Sequence, residues 1–295
     1  MRHATWLRLE ASPFWHDLYR QYRRLPDSVR APLRTLMMPH WHLAARLVRI
    51  AARHEVVAGP FRGMKIQLSP LSSRHLLGYI LGSQELELRE VISRIIERGY
   101  GTIINVGAAD GYYAVGLARR LPSSRVEAFE TLGEFHPLIE SSARLNGVSA
   151  RITLRGMCDA NALRQSLESV TPPALVVMDI EGGEVGLLDP GSIPQLRHTD
   201  ILVETHDPFV AHATDTLIDR FWQTHNVECY TAQARILSDF PADFLPAFRR
   251  WFPRLAVDLM DERRTGVQRW LFLTAKCSDG DECANDGVSV APTGS

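Results

Sequence analysis

Residues 102–117 read Thr102-Ile-Ile-Asn-Val-Gly-Ala-Ala-Asp-Gly-Tyr-Tyr-Ala-Val-Gly-Leu117, and this stretch decides the fold. The β-branched apolar run at 103–106 predicts a buried parallel strand. A glycine turn follows at 107–111, and the small and apolar residues of 112–121 predict a helix. Because glycine leaves room for close backbone approach, a strand that enters a helix through such a turn indicates the first half of a nucleotide-binding βαβ unit.

The spacing of the residues in this turn limits the classes of ligand that it could bind. Asn105-x-Gly107-Ala108-x-x-Gly111 matches neither the Gly-x-Gly-x-x-Gly dinucleotide fingerprint nor a phosphate-binding loop, which favours a ligand with ribose and adenine but no phosphate. The turn resembles the first motif of class I S-adenosylmethionine (SAM)-dependent methyltransferases. That resemblance implies that Asn105, Gly107, Ala108, Gly111 and Tyr112 bind the cofactor. The alternative is an ordinary α/β turn with glycine at a helix start.

Strand and helix patterns alternate along the rest of the chain. This alternation predicts an α/β fold, a Rossmann-like doubly wound, mostly parallel seven-stranded sheet with an N-terminal helical extension. The ligand is then expected at the carboxyl ends of the strands. The predicted strands cover 102–106, 125–130, 151–154, 174–180 and 200–204, with a closing pair at 227–231 and 268–274.

Composition shifts divide the chain into four parts. We expect a basic, aromatic-rich helical arm or cap at 1–58, a hairpin and lid helix at 59–98, the SAM-binding domain at 99–276 and a disordered tail at 277–295. Glu85 and Glu87 fall in the predicted helix 76–98. They are expected to be solvated helix charges, and the alternative is contact with an amino group of the ligand.

The N-terminal arm is strongly basic. Residues 1–54 hold ten arginines against three acidic residues, an excess of seven positive charges, with aromatic residues and prolines between them. The main prediction is a helical cap whose arginine stems cover apolar surface. An arm that touches an anionic membrane surface or an acidic partner is a second interpretation, and a dimerisation arm is a third.

The whole-chain composition excludes several classes. The 295 residues carry a formal net charge of −1, which argues against nucleic acid as the main partner. The four cysteines form no Cys-x-x-Cys pair, so neither a zinc site nor a disulfide framework is expected, and a cytoplasmic location fits. No signal peptide is expected, and no apolar run reaches the roughly 18 residues that span a bilayer.

Acidic residues follow the second and third predicted strands. Glu130 ends the second strand, where a carboxylate can accept hydrogen bonds from a ribose diol; otherwise it is a charge at a helix N-terminus. Cys158 and Asp159 follow the third strand, where an adenine edge is usually met. Asp159 alternatively caps the helix that begins at 160.

The fourth and fifth strands end in a cluster of ionisable residues. The segments are Asp179-Ile-Glu181-Gly-Gly-Glu184 and Glu204-Thr-His206-Asp207. Like charges at this spacing need a cation, a hydrogen-bond donor or a bound substrate to coexist. Because neighbouring parallel strands end at one edge, we expect Asp179, Glu204 and His206 to converge on one pocket.

In this order the motifs resemble the FkbM-type methyltransferases, a class I SAM-dependent family that acts mostly on oxygen of sugars, polyketides and other small metabolites. The resemblance rests on the turn at 105–113, Glu127-Ala-Phe-Glu130, the segment 179–184 and Val203-Glu-Thr-His206. It implies O-methylation of a small molecule or glycan. The chain departs from the pattern at Asn105, where aspartate is frequent, at Ala109, where asparagine is frequent, and at Gly183, where alanine is usual.

These roles give a hypothesis for the chemistry. His206 is the candidate base for the acceptor hydroxyl, with Asp179 and Glu204 orienting it or the acceptor, and Glu181 and Glu184 contacting the substrate. In the alternative, Asp179 and Glu204 hold Mg²⁺, which lowers the pKa of the acceptor hydroxyl.

Three further hypotheses stay open. The methyl group goes to nitrogen or carbon on the same fold, or the chain is a non-catalytic SAM-binding partner protein, or it is an oxidoreductase with a nucleotide cofactor. The absence of Asn/Asp-Pro-Pro-Tyr/Phe after the fourth strand argues against amino groups of nucleic acids as acceptors. The missing third glycine of the fingerprint argues against a dinucleotide.

Overall fold

The computed structural model describes residues 38–67, 75–170, 172–262 and 268–276, with the backbone alone for residues 75 and 76. The predictions of further helices before residue 38 and of a disordered tail at 277–295 lie outside the described residues.

One seven-stranded sheet forms the centre of the fold, in the order β3-β2-β1-β4-β5-β7-β6. Strands β1 to β5 pair in parallel, and β7 runs antiparallel between β5 and β6. This is the doubly wound order of a Rossmann-like sheet, so the predicted fold class is confirmed. The strands are β1 Thr102–Val106, β2 Arg125–Phe129, β3 Ile152–Arg155, β4 Ala174–Met178, β5 Asp200–Thr205, β6 His225–Thr231 and β7 Arg269–Ala275.

Helices connect the strands and add a layer beyond them. Those flanking the sheet are α3 Arg89–Arg98, α4 Tyr112–Arg120, α5 His136–Leu145, α6 Ala160–Glu168, α7 Glu184–Leu187 and α8 Ala213–Phe221. The others are α1 Pro39–Ala52, α2 His75–Leu81, α9 Pro246–Trp251 and α10 Pro253–Met260, with 3₁₀ turns at Leu86–Leu88, Ser149–Arg151, Pro194–His198 and Leu237–Asp239.

Successive residues of the central strands point into different cores. Ile103 of β1 belongs to the core on one face of the sheet, and Ile104 belongs to the core on the other. Leu175 and Val176 of β4 divide in the same way. A strand covered on both faces needs apolar residues at nearly every position, which explains the apolar runs that mark these strands in the sequence, interrupted in β1 by the buried Asn105.

A third core lies in a helical layer formed by α1, α2, the turn at Leu237–Asp239, α9 and α10. Val48, Leu77, Phe240, Phe248 and Met260 are among its buried members. Helix α1, from the predicted N-terminal cap, therefore packs against helices that follow β6 in the chain.

The predicted helix 76–98 is wrong in its middle. It is broken into α2, a 3₁₀ turn and α3, because Gly82 takes φ +63 and Glu85 takes φ +48. A Cβ at Gly82 would lie 2.0 Å from the carbonyl oxygen of Ala58, so the two backbones meet there. The predicted hairpin before it is reduced to an isolated antiparallel bridge between Glu55 and Lys65.

Within the described ranges, no helix is both long and apolar enough to cross a lipid bilayer.

Candidate active site

The carboxyl ends of the parallel strands are level with one another. Val106 of β1 is paired with Phe129 of β2 and Met178 of β4, and Met178 is paired with Val203 of β5. The residues one position further on form a row across the edge of the sheet: Glu130, Gly107, Asp179 and Glu204. With neighbouring strands about 4.8 Å apart, this row spans about 14 Å.

Gly107 is fixed by the backbone of the neighbouring strand. Its φ is +81, and a Cβ there would lie 1.9 Å from the carbonyl oxygen of Asp179. The sequence predicts a glycine here for close approach of a ligand, but the group that excludes a side chain is the backbone carbonyl of Asp179. Gly111 begins α4 at φ +83, and its N–H donates to the carbonyl of Ala108 at 2.7 Å.

Glu130 closes the glycine turn. Its Oε2 accepts from the N–H of Ala109 and its Oε1 from the N–H of Leu132, both at 2.8 Å. The side chain is 8% exposed. Each oxygen retains an acceptor position beyond these bonds, because a carboxylate oxygen has two lone pairs.

Three of the residues assigned to the cofactor are largely buried. Asn105 lies inside β1, and its Nδ2 donates to the carbonyl of Val177 at 3.3 Å. Ala108 is buried in the first core. Tyr112 stacks on Tyr79, with ring centroids 4.4 Å apart, and burial raises its pKa. Their contact with a cofactor stays a prediction.

Cys158 and Asp159 follow β3 as expected. The Oδ1 of Asp159 accepts from the N–H of Ala162 at 2.7 Å, which confirms its role as the N-cap of α6. Burial, together with the charges of Asp159 and Glu127, raises the pKa of the Cys158 thiol to about 12, so this cysteine is an inert thiol at neutral pH.

Glu184 holds the His206 ring through a hydrogen bond at Nδ1. Its Nδ1 lies 2.6 Å from Oε1 of Glu184, which also accepts from the N–H groups of Ile180 and Gly182. Glu184 has no exposed surface, so its contact is with His206 and not with an acceptor as expected from the sequence. With Glu184 ionised, the hydrogen bond places a proton on Nδ1 and directs Nε2 toward the sheet edge.

Three carboxylates surround Nε2 of His206. The distances are 3.5 Å to Oδ1 of Asp179, 3.6 Å to Oε2 of Glu181 and 4.0 Å to Oε2 of Glu204. His206 and Glu204 are buried, whereas the Asp179 side chain is 38% exposed and that of Glu181 is 73% exposed. The predicted convergence of Asp179, Glu204 and His206 is therefore present, with Glu181 joining from the solvent side.

These contacts shift the protonation equilibria in opposite directions. Burial on its own lowers the pKa of His206, but the hydrogen bond with Glu184 and the charges of Glu184, Asp179 and Glu181 outweigh it and raise that pKa. Burial on its own raises the pKa of Glu184, but its hydrogen bonds to His206 and to the local backbone outweigh burial and lower it. The pair therefore favours an imidazolium beside a carboxylate.

The pKa of Asp179 is raised, whereas that of Glu184 is lowered. Burial, followed by the charges of Glu85 and Glu181, raises its pKa to about 7, although His206 and a hydrogen bond with Glu204 act against the shift. The sheet edge thus holds more negative charge than it neutralises, and a cationic ligand would relieve it.

Glu85 and Glu87 are the residues that the sequence analysis misplaced. Both side chains are buried, so the expectation of solvated helix charges is wrong. Glu85 accepts from the hydroxyl of Tyr113, and Glu87 lies 3.1 Å from the buried guanidinium of Arg235. Gly82 could have signalled the interruption of the helix before them, but no local pattern signalled the burial of the two carboxylates.

An exposed aromatic side chain stands next to His206. The rings of Phe209 and His206 stack with centroids 5.8 Å apart and planes 27° apart, while Phe209 itself is 66% exposed. The N–H of Phe209 donates to the carbonyl of His206 at 2.9 Å, which fixes the turn. No pattern in the sequence marked this residue.

Comparisons with known proteins leave the activity open. No family model matches the chain, and no curated protein matches it. Solved structures do match it. An O-methyltransferase from Bacillus cereus, in complex with SAH, is 14% identical over 80% of this chain and 91% of that chain, with a TM-score of 0.41.

Two further solved structures are of the same general kind. The O-methyltransferase TomG from Streptomyces achromogenes, involved in tomaymycin synthesis and in complex with SAM, is 15% identical over 79% of this chain and 90% of that chain, at a TM-score of 0.39. A precorrin-6y C5,15-methyltransferase from Geobacter metallireducens is 12% identical over 64% of this chain and 89% of that chain, at a TM-score of 0.39. The strand order itself defines the fold.

Proposed function

We propose that the protein is a SAM-dependent methyltransferase of the FkbM type that methylates a hydroxyl group on a small metabolite or glycan. The observation that carries the proposal is the row at the sheet edge. In that row the carboxylate of Glu130 lies two strands from Asp179 and three from Glu204, and the buried imidazole of His206 lies 3.5 Å from Asp179 and 4.0 Å from Glu204. A nucleoside ligand with its reactive group at the other end would lie along such a row.

The charge of the edge suits this cofactor. SAM carries a sulfonium and an ammonium group. The ionised form of Asp179 is destabilised by burial and by the neighbouring anions Glu85 and Glu181. A ligand with positive charges would stabilise the ionised form of Asp179. A dinucleotide, whose pyrophosphate is anionic, would meet repulsion in the same place.

Glu130 is positioned to bind the ribose. Its two backbone hydrogen bonds hold the carboxylate in one orientation, and the remaining lone pair on each oxygen can accept one ribose hydroxyl. The turn that contains Gly107 is held against β2, because the N–H groups of Gly107 and Ala108 both donate to the carbonyl of Phe129.

His206 is the proposed base. When bound, SAM supplies a methyl carbon that is already electrophilic. The remaining requirement is to orient an acceptor hydroxyl and remove its proton. In the neutral ring, Glu184 holds the proton on Nδ1 of His206 and fixes the orientation, so Nε2 is the atom that would receive the proton from the acceptor. His206 as a whole is only 3% exposed, so little of its ring is open to bulk water.

Phe209 is the proposed wall of the acceptor site. Its ring covers one face of His206 and offers its other side to solvent. A sugar or other ring-shaped acceptor that packs on it would bring a hydroxyl toward the histidine edge.

Binding of a divalent cation is a second way in which the site could activate the acceptor hydroxyl. One ligand atom each from Asp179, Glu181 and His206 lies within 4.8 Å of the others, a donor set that fits a metal ion. Because an imidazole is among the donors, the set suits Mn²⁺, Co²⁺ or Zn²⁺ better than the Mg²⁺ expected from Asp179 and Glu204. In this mode His206 would be a ligand, and Glu184 would orient it.

Calorimetry with the purified full chain tests the proposal. We expect SAM to bind and NAD not to bind; NAD binding without SAM binding would overturn it in favour of an oxidoreductase. Incubation with methyl-labelled SAM and candidate glycans or metabolites, followed by mass spectrometry, then locates the label on oxygen, nitrogen or carbon. SAM binding without any label transfer would support a non-catalytic SAM-binding protein.

Chelation separates the two modes of proton removal. With His206 as base, turnover should persist in EDTA. If turnover is lost in EDTA and restored by Mn²⁺, the metal mode replaces the base mode while the methyltransferase proposal stands.

A further inference from the structure

Helix α1 has two apolar faces. Its small residues Ala44, Ala45, Val48 and Ala52 are buried in the helical layer. A second apolar row on its other side is open to solvent: Leu43 is 71% exposed, Leu47 44% and Ile50 64%. These three recur at i, i+4 and i+7, so they form one continuous stripe.

A basic row runs beside this stripe. Arg46 and Arg49 lie one turn apart on α1, Arg53 is the C-cap that follows it, and all three are exposed. Arg46 is three residues from Leu43 and four from Ile50, so it borders the stripe directly. Helix α1 contains no aspartate or glutamate. A helix with an exposed apolar row next to a cationic row has the arrangement of helices that lie in a lipid interface.

Exposed apolar side chains also lie next to arginines where α9 meets α10, in the same helical layer. Trp251 is 71% exposed and Phe252 55%, and the Arg250 guanidinium lies 5.7 Å from the Trp251 ring centroid. Arg254 on the next turn is exposed as well. Helix α1 is joined to the C-terminal half of α10 by a hydrogen bond from Nε1 of Trp41 to the carbonyl of Asp258, at 3.4 Å.

We propose that this helical layer docks on the surface of an anionic lipid bilayer, through the Leu43–Leu47–Ile50 stripe and the arginine row beside it. The arginines complement anionic headgroups, and the apolar row and the exposed aromatic pair suit the headgroup boundary. A second copy of the chain fits less well, because a two-fold contact through this face would bring the arginine rows close together. The net charge of residues 1–37 is also positive, with seven arginines against three acidic residues.

Vesicle co-sedimentation of the full chain tests this docking. We expect the protein to bind vesicles of phosphatidylcholine with phosphatidylglycerol and to bind pure phosphatidylcholine at least tenfold more weakly. The triple variant R46Q/R49Q/R53Q should lose at least tenfold of its partition onto the anionic vesicles, since each basic residue at such a surface contributes about fivefold. The variant L43S/L47S/I50S should lose about tenfold or more.

Matched variants control for net charge and general hydrophobicity. R125Q/R164Q/R197Q removes three exposed arginines from the sheet domain, and L145S/W222S removes two exposed apolar side chains there. Both should bind anionic vesicles as the parent does, and far-ultraviolet circular dichroism should show every variant folded.

Three results would overturn the docking. The parent chain could bind both vesicle types equally, the control variants could lose as much as the α1 variants, or the α1 variants could bind normally and change only the oligomeric state in sedimentation velocity. None of these depends on SAM binding, so the docking and the proposed activity can fail separately.

Discussion

The Nδ1 atom of His206 lies 2.6 Å from Oε1 of Glu184, a carboxylate without exposed surface. This buried pair turns the histidine edge toward the sheet end and raises the pKa of the ring. If His206 is the base, as proposed, its orientation by a buried carboxylate would give the site a defined proton acceptor.

We therefore predict that Glu184→Gln lowers the pKa of His206, because it removes the anion that stabilises the imidazolium. If His206 must be neutral to act, the acidic limb of the plot of kcat against pH should move to lower pH, while the plateau rate falls because the ring is less well oriented. His206→Ala should reduce turnover by about 10²–10⁴-fold at the plateau. The exposed Glu140→Gln is the charge-matched control. An unmoved acidic limb in Glu184→Gln would remove His206 as the titrating base.

Asp179→Asn should make the protein more stable at pH 8. The folded pKa of Asp179 is about 7, against about 3.9 for a free aspartate, so the folded state binds the extra proton between these values. Stability from this group is therefore lost as pH rises from about 4 to 7 and stays lost above that. A shift of this size corresponds to about 4 kcal/mol, and solvent screening of a side chain that is 38% exposed reduces the expected gain to about 1–2 kcal/mol.

Urea unfolding at pH 4 and pH 8 measures this difference. The variant and the parent should differ at pH 8 and converge toward pH 4. Asp215→Asn, at a side chain that is 75% exposed, should leave both values unchanged. Equal stability of parent and Asp179→Asn at pH 8 would show that the ionised Asp179 is already compensated.

Glu130→Gln should weaken SAM binding by about 1–3 kcal/mol, because one ribose hydroxyl would face an amide in place of a carboxylate oxygen. Calorimetry measures the loss, and thermal unfolding of the same sample reports any damage to the turn, since Glu130 also binds the N–H groups of Ala109 and Leu132. Glu134→Gln, exposed in the same loop, should bind SAM normally. An unchanged affinity in Glu130→Gln would contradict the ribose assignment.

Gly107→Ala should cost at least about 3 kcal/mol of folding free energy. A side chain at φ +81 costs about 1–2 kcal/mol, and its Cβ would lie 1.9 Å from the Asp179 carbonyl, so the ends of β1 and β4 would have to separate. Gly186→Ala is the counterpart, because it lies in α7 with nothing within 4 Å of its Cβ, and it should gain about 0.5–1 kcal/mol. Chemical denaturation of both variants checks the pair, and a loss below 1 kcal/mol for Gly107→Ala would contradict this packing argument.

The central sheet could be read from the sequence because its strands are covered on both faces. Burial on both faces demands mostly apolar runs such as 174–178, and 103–106 apart from Asn105, and the glycine turn fixes the direction of the chain after β1. The carboxylates at the strand ends were also visible, since parallel strands bring their ends to one edge. The identity of each site residue as a ligand contact stays a prediction.

The segment 76–98 and the layer built from α1, α2, α9 and α10 were not decided locally. A helical period continues across Gly82 and Glu85, and only the close approach of Gly82 to Ala58 breaks it. The burial of Glu87 depends on Arg235, a residue 148 positions away. Such pairings carry no local signal, because either partner alone has the pattern of a solvated charge.

The sequence by itself determined the sheet, the glycine turn and the set of ionisable residues at the strand ends, because periodicity and chain direction are local properties. Only the tertiary structure decided that Glu184 supports His206 from below, that Glu85 is buried near Asp179, and that Leu43, Leu47 and Ile50 stay exposed on a helix that already has a buried face. Each of these depends on what other parts of the chain cover, and burial is set by packing between distant segments.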